Sequence, residues 1–80
     1  MVKYEVKCKQ VDGEKKYGII DEQLNEVQPF HFDQIIEKDG AFVLRRDNKP
    51  DLVFCDGELL IKEEDQLYNI EVIRSGIYKA

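Results

Sequence analysis

Several residue types and patterns are scarce in this chain of 80 residues, and each scarcity removes a class of function. Ser75 is the one serine and His31 the one histidine, so no serine-nucleophile motif is present. A histidine base also needs a partner to orient it, and none lies at a readable spacing from His31. The five glycines stand singly among turns, which leaves no loop to cradle a phosphate. No apolar stretch exceeds four residues, far short of a membrane helix. No apolar run follows a basic start, as it would in a signal peptide. Cys8 and Cys55 are too few for a secreted disulfide framework, so the expected setting is cytoplasmic, with reduced thiols. Cations are in deficit as well. Twelve Lys and Arg face 17 Asp and Glu, a net charge of -5 that repels phosphate backbones and acidic membrane surfaces.

What remains is a short chain with an apolar fraction of 42%, enough to fold. Its length predicts one domain over residues 1–80, with a core small enough that a disulfide, a metal or a partner subunit would add useful margin. The alternation is clearest at the start. Val2, Tyr4, Val6 and Cys8 share one parity while Lys3, Glu5, Lys7 and Lys9 share the other, which predicts a half-buried strand. Asp12-Gly13 is a hairpin signal, and Lys16 to Asp21 is the return strand. Glu22 to Glu26 reads as a turn. Val27 opens a strand that Pro29 confines to an edge or bend. Phe30, Phe32 and Ile35 are expected in the core.

Lys38-Asp39-Gly40 turns into Ala41-Phe42-Val43-Leu44-Arg45-Arg46, apolar on both parities and so suited to a central strand covered on both sides. Asp47 to Pro50 ends it. Leu52–Cys55 and Glu58–Lys62 flank a further hairpin signal, Asp56-Gly57. Lys62 to Asp65 reads as a solvated charge run. Leu67 to Arg74 is ambiguous: Tyr68, Ile70 and Val72 alternate, but Leu67, Ile70 and Ile73 keep helical spacing. Strand is favoured, with a short helix near 64–74 as the alternative. Ser75-Gly76 turns into a last strand at Ile77-Tyr78.

An offset of 36 aligns Phe32 with Tyr68, Asp33 with Asn69, Gly40 with Gly76 and Phe42 with Tyr78. Ile19 and Ile20 match Val53 and Phe54 at 34, as turn insertions would allow. Lys16-Tyr17-Gly18-Ile19-Ile20-Asp21, then Val27 and Pro29, Phe32-Asp33 and Asp39-Gly40-Ala41 together resemble the bacterial WG (tryptophan-glycine) β-repeat family. Tyr17 stands at the family's tryptophan, Gly18 keeps its glycine, Phe32 replaces a tyrosine and Asp33 keeps the aspartate. The likeness is good over about residues 13–43 and poor over 47–79, where Pro50-Asp51 replaces the aromatic-glycine pair. It implies an all-β fold, a small antiparallel meander of β-hairpins. Two repeats (about 13–46 and 47–80) would follow a leading strand at 2–12, and no chemistry is implied. A piece of a longer repeat array is a further possibility.

Candidate sites are sparse. His31 reads as a surface residue. Cys8, Cys55 and His31 lack the paired spacing of a zinc site, and both cysteines read as small buried hydrophobes. No cofactor or metal is expected, and an enzyme is not. The leading expectation is a protein–protein interaction module that uses exposed β edges or an acidic face, to bind another protein or a second copy of itself. Its candidate partner-binding residues are Asp51, Asp56, Glu58, Glu63, Glu64, Asp65, Tyr68 and Tyr78. The alternative is a small acidic inhibitor from a phage or mobile element, one that imitates phosphate charge in a basic nucleic-acid channel.

Overall fold

A computed structural model describes residues 3–74 and 76–79. Nine strands follow in order: β1 (Tyr4–Val11), β2 (Glu14–Asp21), β3 (Glu26–Phe32), β4 (Gln34–Lys38), β5 (Ala41–Arg45), β6 (Leu52–Cys55), β7 (Glu58–Ile61), β8 (Glu71–Arg74) and β9 (Ile77–Lys79). All pairings are antiparallel between neighbours in sequence, forming sheets β1-β2-β3, β4-β5-β6-β7 and β8-β9. The fold is the expected all-β meander of hairpins. The sequence-predicted strand position Val2 and turn residue Ser75 lie outside the described residues.

Three turns have the same local cause. Asp12-Gly13, Asp39-Gly40 and Asp56-Gly57 all adopt positive φ at both residues, between 52° and 86°, as in two-residue turns matched to strand twist. The turn at 22–25 is held differently: the Asp21 carboxylate accepts the backbone N–H groups of Gln23 and Asn25, each at 2.9 Å. These bonds hold its carboxyl below the usual carboxylate range, the Asn25 backbone bond most of all.

The three sheets stack as layers, with the four-stranded sheet in the middle. One of its faces presents Phe42, Leu44, Leu52 and Phe54 to Ile19 and Phe32 of the first sheet. Its other face presents Ala41, Val43 and Val53 to Ile70 and Val72 on and beside the β8-β9 ribbon. Sheets pack roughly 10 Å apart, so two such spacings account for the shortest molecular dimension of 19 Å. The apolar run at 41–44 is thus buried on both parities, as expected.

Three side chains depart from the expected positions. Cys8 is exposed, because the end of the β1-β2 hairpin reaches beyond the apolar residues of the middle sheet. Cys55 is half-buried at the second core. Phe30 is outside the main core. A register shift between β2 and β3 turns its ring onto Gly18, under the Lys9 ammonium 4.4 Å from the ring centroid. Ahead of the ambiguous stretch a single 3₁₀ turn forms at Glu63–Asp65, and 67–70 is a loop where strand was favoured and helix was the alternative. Gln66 and Asn69 then adopt positive φ, which no continuing helix allows, and strand resumes at Glu71.

Candidate functional site

The junctions β3–β4 and β5–β6 form a polar cleft of about 850 Å³ with Tyr17 and Tyr68 among its walls. Asp33, at the bend between β3 and β4, organises one side. Its backbone N–H donates to the Arg45 carbonyl at 2.8 Å, and its carboxylate accepts the Lys16 ammonium and the Asp47 N–H. The Lys16 ammonium, followed by the Asp47 N–H, holds the Asp33 carboxyl below the usual range. In return, the bond to Asp33 raises Lys16 above its ordinary value.

Asp51 organises the other side. It is 4% exposed, and its Oδ2 accepts Arg45 Nε at 3.1 Å and the Ile70 N–H at 3.0 Å. Arg45 Nη2 donates to the Ile70 carbonyl at 2.8 Å, and the Asp51 N–H donates to the Leu67 carbonyl at 2.7 Å. A buried carboxylate needs this kind of neutralisation and hydrogen bonding to remain charged. Together, Asp51 and Arg45 clamp the 67–70 loop onto the middle sheet. Arg46 completes the wall: Nη2 donates to Glu63 at 2.7 Å and the guanidinium lies 5.8 Å from the Phe32 ring centroid. The bond to Arg46 lowers the Glu63 carboxyl. Arg46 Nε is buried without a hydrogen-bond partner among the described residues. Lys16, Arg45 and Arg46 are each matched to a carboxylate, so the cleft works as a brace between layers.

The sequence-predicted partner-binding residues are not gathered on one face. Asp51 is buried, with Oδ2 held by Arg45 and the Ile70 N–H, which corrects its assignment as a partner contact. Asp56 lies in the β6–β7 turn and Glu58 just after it, whereas Glu63, Glu64 and Asp65 follow the far end of β7, a strand of four residues spanning about 13 Å. Asp65 caps its own turn by accepting the Lys62 N–H at 2.8 Å. Tyr68 is half-exposed at the cleft wall. Tyr78 packs into the second core, where burial, then the neighbouring Cys55 and Asp56, raises its hydroxyl pKa.

His31 is exposed. Among the described residues no group of three or more His, Cys, Asp or Glu side chains could hold a metal ion. No helix there is long and apolar enough to cross a membrane. What the sequence reading missed was the Arg45–Asp51–Ile70 clamp; the signal for it was an aspartate placed just before the apolar run 52–55. Comparison with protein-family models, with curated proteins and with solved structures gives no match to this chain.

Proposed function

We propose that the protein is a non-enzymatic interaction module that binds another protein through an exposed sheet edge. The observation that carries this reading is the layered architecture: three separate open sheets, each ending in strands with a free side among the described residues. Unpaired N–H and C=O groups along such edges are a template for a further strand. Exposed apolar side chains at Leu60, Tyr68, Ile73 and Ile77 strengthen the case at the C-terminal end. The separation of the acidic residues, with Asp51 and Glu63 tied to arginines, favours edges over an acidic face that imitates phosphate. A kinship with WG repeats is part of the proposal. In support, the order β2 to β5 is followed by β6 to β9, and Gly40 and Gly76, offset by 36, both take positive φ.

Affinity capture from cell extract followed by light scattering of the recovered complex tests the reading. A saturable complex that dissociates when edge strands are blocked is expected. A strict monomer at high micromolar concentration that recovers no partner would overturn it.

A further inference from the structure

The strand edges of this molecule are unequally protected. β1 carries Glu5, Lys7 and Lys9, and β3 contains Pro29. β7 is four residues long and joins β6 through a shifted register, and the β8-β9 ribbon is short and shifted too. Charges, proline, bulges and brevity are the usual guards against strand addition. β4 has neither proline nor a register shift, and its two charges, Glu37 and Lys38, stand together at one end beside the apolar pair Ile35-Ile36. It holds five residues in unbroken register with β5, has no strand on its other side among the described residues, and exposes Ile36 to 37%.

From this contrast we infer that β4 is the docking edge, and that its occupant is an extended segment of another protein with a short apolar centre flanked by lysine or arginine. The inference rests on the interaction-module reading and deepens it. Lys38 and Ala41 flank a two-residue turn and so form a hydrogen-bonded pair; alternation from there turns the N–H and C=O groups of Ile35 and Glu37 away from β5. Those groups are what an added strand would bind. Side chains of that strand alternate between the two faces of the sheet, and each face offers a hollow beside β4. On one face Tyr4, Val6, Ile35 and Phe42 line about 760 Å³; on the other Ile36, Val43 and Val72 line about 390 Å³.

Charge selects the occupant. The larger hollow has Glu37 and Asp56 at its rim, neither ion-paired among the described residues, with Glu5 held 3.2 Å from Lys7 and Lys3 beside them. Cations flanking the apolar centre of the partner strand meet these carboxylates. A second copy of this chain would instead bring the same carboxylates face to face.

The test uses the full chain and two peptides, acetyl-SKVFVKS-amide and acetyl-SEVFVES-amide, followed by amide chemical shifts and hydrogen exchange. The lysine peptide is expected to bind, to perturb and protect the Ile35 and Glu37 amides, and to bind more tightly than the glutamate peptide. Glu37→Pro removes a donor that does not face β5, and with it the carboxylate that accepts the Gly40 N–H at 3.1 Å, so the β4-β5 ladder is retained while affinity falls about tenfold or more. Glu37→Lys, which keeps the backbone donor, reverses the preference between the two peptides and covers the case in which the proline variant does not fold. Several results would overturn the assignment: no binding of either peptide, unchanged binding by folded Glu37→Pro, or protection of Ile35 and Glu37 by self-association alone. Protection confined to the Ile77 and Tyr78 amides would refute β4 while leaving the interaction module standing, whereas recovery of no partner at all refutes the module.

Discussion

Replacing Gly18 with alanine tests the packing of the outer layer directly. A Cβ built on Gly18 falls 2.8 Å from the Gln28 carbonyl oxygen and 3.0 Å from two atoms of the Phe30 ring. Two effects compete. Alanine loses less backbone entropy on folding than glycine, a gain of about 0.4–1 kcal/mol where the native conformation suits it. Against this, an added methyl in a filled site costs about 1–3 kcal/mol. The closer obstacle here is backbone, which cannot swing aside as a side chain does. Relief requires β3 to move off β2, or the Phe30 ring to leave its place beneath Lys9, a contact contributing about 0.5–1 kcal/mol at an exposed site. The clash wins, and a net loss of about 1–2 kcal/mol is expected. For a domain of this size that lowers Tm by about 5–15 °C. Thermal melts and urea titrations of Gly18→Ala measure it, and Gly18→Ala/Phe30→Ala separates the obstacles. With the ring gone, adding the methyl still destabilises, because the Gln28 carbonyl remains. A single variant within about 0.5 kcal/mol of the parent would refute the proposed close packing of β2 against β3.

Further outcomes follow from the clamp, the ion pairs and the thiols. Asp51→Ala strands the Arg45 guanidinium and the Ile70 N–H, so urea denaturation should show a loss of about 2–4 kcal/mol, with Asp51→Asn losing less. The folded-state pKa of Asp33 is depressed, so its contribution to stability is present above the unfolded value near 3.9 and is lost as pH falls through the lower folded value. Lys16 is raised, so its contribution is present below about 10.4 and disappears as pH climbs through the higher folded value. Melting points of Asp33→Asn should therefore be lower than the parent's at neutral pH and fall less steeply below about pH 4. Iodoacetamide labelling read by mass spectrometry should modify exposed Cys8 well before Cys55, whose thiol pKa is raised first by burial and then by Asp56. Equal rates would refute the placement of Cys55.

Local signals carried the strands and turns well. The two-residue turns were legible because aspartate and glycine tolerate the positive φ that strand twist demands. The middle layer was legible because only a strand with apolar neighbours on both faces has no polar parity to spare. Alternation did not reveal how far the next layer extends, which is why Cys8 is exposed despite keeping step with Tyr4 and Val6. Phe30 was misplaced because an irregular β2-β3 register changes the facing of residues that strict alternation would put together. Asp51 was invisible as a core residue because the groups that make its burial tolerable, Arg45 and Ile70, come from separate parts of the chain. Asp56 and Glu58 stand close to Glu63, Glu64 and Asp65 in the sequence but are divided from them by the length of β7.

Because β5 and β6 serve two cores at once, residues 41–44 and 52–54 have almost no substitution to which both neighbours are indifferent. Genetic drift in this protein should therefore be written mostly elsewhere, with exposed Lys15, Glu22 and His31 freely rewritten and the paired inner strands preserved nearly letter for letter.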